Sequence, residues 1–242
     1  MAGGGRDPLD YAAQAFHHHP VWFAMYNPAH FAVTDQAALY DLIRHAPLGM
    51  LVTHGPDGLD ANHIPWELQQ GPEGTDRLIG HMARANPLCQ QLQQGGDVLV
   101  VFRAEQGYIS PNWYPSKHAT HRQVPTWNYR VVHVHGRVAL RDDEKFVRGV
   151  VGRLTRTHEQ QAQAMAPHPA GAWKMGDAEP AYLQQMLSAI VGLEVEIVRL
   201  EGKFKLGQNR SAEDREGAAD WLDKGQQTQL ATRMRLANPA IP

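Results

Sequence analysis

Between Met50 and Met82 the chain alternates short apolar runs with Gly/Pro turns, and this pattern restricts the possible folds more than any other stretch. Met50-Leu51-Val52-Thr53 reads as a strand, Gly55-Pro56-Asp57-Gly58 as a turn, and Ala61 to Leu68 as a returning strand. In that second strand Ile64, Trp66 and Leu68 share one face while His63 and Glu67 share the other. A second turn, Gly71-Pro72-Glu73-Gly74, leads into Leu78 to Met82. Connections this short join antiparallel neighbours, because parallel strands need a long crossover. The stretch therefore predicts an antiparallel meander.

The flanking segments add helices and more strands. Thr34 to His45 predicts a helix with Thr34 as its cap, and Pro47 forbids continuation. Asn86 to Gln94 reads as a short helix, Val98 to Phe102 as a buried strand, and Trp127 to Leu140 as a long alternating strand. In the last of these Val132, Val134 and Gly136 oppose His133, His135 and Arg137. Asp143 to His158 is amphipathic, with Phe146, Val147, Val150, Val151 and Leu154 as its apolar stripe. Gln160 to Glu179 reads as a loop, and Pro180 opens a helix over Ala181 to Ser188. Leu193, Val195 and Ile197 mark a final strand, and Ser211-Ala212-Glu213-Asp214 caps a C-terminal helix. Strands and helices do not alternate as βαβ units, and no phosphate-binding glycine loop is present. The expected fold is α+β, a small antiparallel β-barrel with helices packed on it. Residues 1–24, with His17-His18-His19, read as a flexible extension, and 25–242 as one domain.

Charge and cysteine content narrow the function. Lys plus Arg number 23 against 25 Asp plus Glu, so no global field draws the chain to DNA or an anionic membrane. The single cysteine, Cys89, excludes intrachain disulfides and multi-thiolate metal sites and suits a reducing compartment. No apolar run approaches the ~18 residues of a membrane span, and the N-terminus lacks the order of a secretory signal. The expectation is a cytoplasmic protein.

Three motifs carry unusual chemistry. Ile109-Ser110-Pro111-Asn112-Trp113-Tyr114-Pro115-Ser116-Lys117, with Val124-Pro125-Thr126-Trp127-Asn128-Tyr129 after it, packs rings, amides and prolines into one short span. Proline-stiffened loops present rings at low entropy cost, as a flat heteroaromatic ligand requires; a rigid loop covering a barrel end has the same composition. Gly202-Lys203-Phe204-Lys205-Leu206-Gly207-Gln208-Asn209-Arg210-Ser211 places cations and amides before a helix N-terminus, an anion site or a solvated basic turn. Gly80-His81-Met82-Ala83-Arg84-Ala85-Asn86-Pro87 joins a strand end to a helix start. The 14 histidines include His133 and His135 on one strand face, but no third ligand stands near them in sequence, so a metal site is not expected.

Together, and in this order, these motifs resemble the PaiB-type FMN-binding negative transcriptional regulators, from about Met25 to Leu222. The resemblance implies a homodimeric split barrel akin to pyridoxamine-phosphate-oxidase-like flavoproteins, with FMN near the dimer interface. It implies flavin and phosphate contacts from His81, Ala83, Arg84 and Asn86, from Lys117, Trp127 and Asn128 in a facing loop, and from Lys205, Gln208 and Arg210. Gly207 stands where the resemblance leads one to expect serine. It leaves the catalytic residues, the substrate and the electron donor unassigned. A regulator of this kind would touch DNA, and a helix pair over Ala212 to Leu236 carries Arg233 and Arg235. Asp214, Glu216, Asp220 and Asp223 in the same pair oppose phosphate, so dimer packing is the preferred reading. A haem-handling split barrel, suggested by the many histidines, ranks after these.

Overall fold

A computed structural model of the chain describes residues 25–237; the expected extension over 1–24 lies outside them. The chain runs β1 (Ala32–Val33), α1 (Gln36–His45), β2 (Leu48–Gly55), β3 (Gly58–Pro65), β4 (Glu67–Gln69), β5 (Arg77–Ala83) and α2 (Leu88–Gln91). It continues through β6 (Gly96–Ile109), α3 (Pro115–Thr120), β7 (Thr126–Arg141), α4 (Glu144–Met165), α5 (Pro180–Ser188), β8 (Ile190–Lys205), α6 (Ala212–Lys224) and α7 (Thr228–Leu236). The strands form one antiparallel sheet in the order β3-β2-β6-β7-β8-β5-β4, with β1 against β8.

The expected three-strand meander does not form as one ladder. β2 and β3 make the hairpin read from sequence, in register from Leu48 opposite Pro65 to Gly55 opposite Gly58. Gly58 takes φ +108, a left-handed conformation that glycine adopts without strain. The returning strand, however, breaks at Pro65, which cannot donate to a ladder. Trp66 there donates its backbone N–H to Pro47 O at 2.9 Å and buries its ring to 2 % exposure. After that corner β4 pairs with β5 instead. Consecutive strands β3 and β4 thus occupy opposite edges of the sheet order with a single residue between them. Only a sheet rolled on itself permits that, and this is the split barrel.

The inner face of the roll holds the core. Leu51, Val100, Phe102, Val132, Val134, Leu193 and Val195 are all fully buried, and Leu42 and Ile43 of α1 join them. Asp35, not Thr34, caps α1, its carboxylate accepting from Ala37 N at 3.0 Å; the pairing of Val33 with Gly202 holds Thr34 outside the helix. β6 is longer than expected. A register shift between Arg103 and Gln106 carries it past Phe102, so that Tyr108 pairs with Trp127 and part of the aromatic motif is strand rather than loop.

α4 begins at the Asp143 cap, as read, but runs to Met165, because the residues after His158 contain no helix breaker before Pro167. Val150 and Leu154 of α4 pack on Ile79 of β5. α2 is shorter than expected: the Asn86 side chain accepts from Leu88 N at 2.9 Å and starts the helix late. α5 begins at Pro180, and Ser211 caps α6 by accepting from Asp214 N at 3.1 Å, both as read. α6 and α7 form a hairpin with its own apolar centre at Tyr114, Ala219, Leu222 and Leu230. No helix among the described residues is long and apolar enough to cross a membrane.

Candidate functional site

Alternation along β7 sorts the expected residues onto two faces. Val132 and Val134 point into the core, so Trp127, Tyr129, Val131, His133 and His135 lie on the outer face. In register beside them, β8 places Lys205 opposite Tyr129 and Lys203 opposite Val131. The Trp127 ring is 56 % exposed and meets Tyr108 edge to face, with centroids 6.3 Å apart. Lys205 Nζ donates to Trp127 O at 2.6 Å and to Thr126 Oγ1, which fixes an ammonium at the edge of the ring pair. A cleft of about 380 Å³ beside Trp127 is lined by Met25, Val101, Gln106, Tyr129 and His133. A larger one of about 890 Å³, also lined by Trp127, reaches Tyr108, Gln227 and Leu230.

Asn128, adjacent in sequence, points the opposite way. It is 1 % exposed and its amide nitrogen donates to Met234 Sδ at 3.4 Å. The sequence reading grouped it with Trp127 in one loop; because Thr126 already begins the strand, the two side chains leave on opposite faces. Gln208 is spent on its own turn, accepting from Leu206 N at 2.8 Å and donating to Phe204 O at 2.6 Å. That turn puts Gly207 at φ +84, where a serine would be strained, so the glycine there is a backbone requirement.

Arg210 donates to Gln123 Oε1 at 2.6 Å and lies 5.2 Å above the Tyr114 ring. Lys117 sits half-buried on α3. Asp214 steadies this side of the site. Its carboxylate, 3 % exposed, accepts from Ser116 N at 2.9 Å, Ser116 Oγ at 2.7 Å and Gln123 Nε2 at 3.1 Å. Sequence reasoning placed Asp214 in a capping pattern and among acids that oppose phosphate, not in the site. A buried acid in the first turn of a helix was the available signal.

His81, Ala83, Arg84 and Asn86 lie elsewhere, at the end of β5. His81 shares a face with Ile79, which packs on α4, and burial lowers the pKa of its imidazole. Arg84 donates to both oxygens of Asp142, at 2.5 and 2.8 Å, and to the carbonyls of Ser188 and Ile190. Asn86 bridges to Asn62 Oδ1 at 2.9 Å. His81 and Arg141 both sit opposite Gly192, so this cluster belongs to the far end of β7 from Trp127. At about 3.3 Å per residue the separation along the strand from Trp127 to Arg141 is roughly 46 Å. Within one chain the expected residues therefore form two clusters.

The Trp127 cluster fits a flavin mononucleotide. The phosphate dianion needs cations not already neutralised, and Lys203, Lys205, Arg210 and Lys117 have no carboxylate partner among the described residues. Lys205 shows the resulting field: burial lowers its pKa, and neighbouring Lys203 and Arg210 push the same way. Arg84, by contrast, is already paired with Asp142.

A rolled antiparallel sheet of this order is a split barrel, and its outer face carries aromatic rings beside Lys203 and Lys205. The family model described as "Putative FMN-binding domain" matches residues 25–199. The chain belongs to that PaiB-type FMN-binding family, and its cofactor is the flavin FMN. An uncharacterized Aspergillus fumigatus protein is 31 % identical over 238 residues, covering 83 % of this chain and 91 % of its own. The protease synthase and sporulation protein PAI 2 of Bacillus subtilis is 26 % identical, covering 78 % and 85 %. Among solved structures, the FAD and heme binding protein from Mycobacterium smegmatis superposes with a TM-score of 0.51 at 18 % identity, over 73 % of this chain and 74 % of that one, and shares the fold.

Proposed function

We propose that the protein acts through FMN held on the outer face of β7 and β8, with the ring against Trp127 and Tyr108 and the phosphate among Lys117, Lys205 and Arg210. The observation that carries this reading is Lys205, clamped to the Trp127 carbonyl beside Lys203 and Arg210, none of them paired directly with a carboxylate among the described residues. Bound there, the flavin supplies electron-transfer chemistry, and the protein's part is to position it.

The β5-end cluster of His81, Ala83, Arg84 and Asn86 reaches the cofactor from a second copy of the chain. Support for a partner comes from Met50, Val52, Leu99 and Val101, an apolar half-buried patch on the outer face of β2 and β6. A two-fold pairing over that patch makes each site composite.

Regulation, suggested by the B. subtilis relative, is then indirect, through a metabolite or redox partner of the flavin. The α6–α7 pair is poorly suited to DNA: Arg235 is held by Glu216, Asp220 and Asp223, and Arg233 by Glu105. The test is an FMN titration of flavin-stripped protein, read by flavin fluorescence and absorbance. We expect stoichiometric uptake, weakened at least tenfold by Trp127→Ala and by Lys205→Met. Protein that ignores FMN, or variants that bind it unchanged, overturns the reading. A salt-sensitive gel shift with purified protein overturns the indirect route.

A further inference from the structure

No third partner stands near His133 and His135 in sequence, but the fold supplies one. The two imidazoles stand two residues apart on the outer face of β7, and the ladder to β8 sets Glu201 directly opposite His133. One ligand atom from each of the three residues lies within 4.8 Å of the others. His135 Nε2 and Glu201 Oε2 are 3.4 Å apart. Bonds of about 2.0–2.1 Å in a tetrahedral zinc site hold neighbouring ligand atoms roughly 3.3–3.5 Å apart, so that pair is already at coordination spacing.

We propose that His133, His135 and Glu201 form a three-ligand site for a first-row divalent cation of the zinc or ferrous class. Two imidazoles and a carboxylate with a position left open is a donor set used for both ions. Contacts around Glu201 orient it for the role. Arg199 donates to Oε1 and Met25 N donates to Oε2 at 3.1 Å, which leaves Oε2 a lone pair on the side of the imidazoles. The Arg199 charge also opposes a cation, so micromolar affinity is expected rather than the grip of a closed structural site. The ladder shifts register between His135 and Gly136, and bulges of this kind re-aim side chains at sites. His133 lines the cleft that contains Trp127, Tyr129 and Val101, which gives an ion a route from solvent.

The experiment uses the full chain, stripped of metal by a chelator and free of flavin, so that its outcome is independent of FMN binding. Zn²⁺ is titrated by calorimetry, and Co²⁺ by its visible d–d bands. The expectation is one equivalent bound, with His133→Gln and Glu201→Gln each weakening it at least tenfold while melting like the parent chain. His17, His18 and His19 are the rival site, and replacing all three with alanine should leave binding unchanged. The proposal is overturned if no equivalent binds, if His133→Gln and Glu201→Gln bind as the parent does, or if binding disappears with the His17–His19 replacement. Should the two single variants melt early, the same titration with His135→Gln decides: unchanged affinity overturns the site, and a tenfold loss supports it.

Discussion

Replacing Glu105 with glutamine uncouples a charge cluster buried between β6, β7 and α7. The Glu105 side chain is 6 % exposed and that of Arg130 3 %; Arg130 Nη1 reaches the two carboxylate oxygens at 2.9 and 3.2 Å. Arg233 Nε adds a bond at 3.1 Å and is 33 % exposed. Loss of one partner from a buried pair costs about 3–5 kcal/mol, because the remaining charge stays out of water. Arg233 can turn to solvent and glutamine keeps one acceptor, so the low end, about 3 kcal/mol, applies. For a chain of this size that lowers Tm by roughly 6–12 °C.

Acid supplies the second readout of this variant. Burial alone raises the Glu105 pKa, but its backbone hydrogen bond, Arg130 and Arg233 outweigh it and the net shift is downward. A depressed carboxylate contributes stability above its unfolded pKa, about 4.3, and loses it as pH falls through the folded value. The gap between parent and variant, measured by urea unfolding, should therefore be full at pH 7 and narrow below about pH 4.3. A gap under about 1 kcal/mol at pH 7, or one that does not change on acidification, refutes the argument.

Other perturbations follow from the packing. A Cβ on Gly49 would stand 2.7 Å from Phe102 Cε1 and 2.8 Å from Trp66 Cδ1, both on buried rings, so Gly49→Ala should cost about 1–3 kcal/mol in urea unfolding. Asp214→Asn weakens the bonds to Ser116 and Gln123; about 2 kcal/mol of stability should go, and the FMN dissociation constant should rise as the Lys117 and Arg210 segments loosen. Arg235→Ala leaves Glu216, Asp220 and Asp223 without their shared cation, a loss of about 1 kcal/mol that added salt should shrink.

What could be read in advance divides by the range of the physics. The starts of α4, α5 and α6 were legible because Asp143, Pro180 and Ser211 act within a few residues of themselves. The end of α4 was misread although Glu159 to Met165 are all good helix formers, because the Pro- and Gly-containing stretch from Ala166 onward was carried back into them. Pro65 was visible, yet the alternation of Ile64, Trp66 and Leu68 read through it; the corner it makes depends on Pro47 O and on the far edge of the sheet. In the site, the aromatic and basic motifs were plain as composition. Their grouping was not, because it rests on register: Trp127 and Lys205 meet through the β7–β8 ladder, and Glu201 faces His133 through the same pairing. No local pattern encodes a partner many residues away.

The position of β8 bears on how the chain is made. It is the last strand in sequence, yet it lies between β7 and β5 and also carries β1, with Ala32 opposite Lys203 and Val33 opposite Gly202. Synthesis from the N-terminus therefore leaves β5 and β7 without their common neighbour until Lys205 has cleared the ribosomal tunnel. The barrel closes only after β8 has emerged, and a nascent chain stalled before that point presents unpaired strand edges.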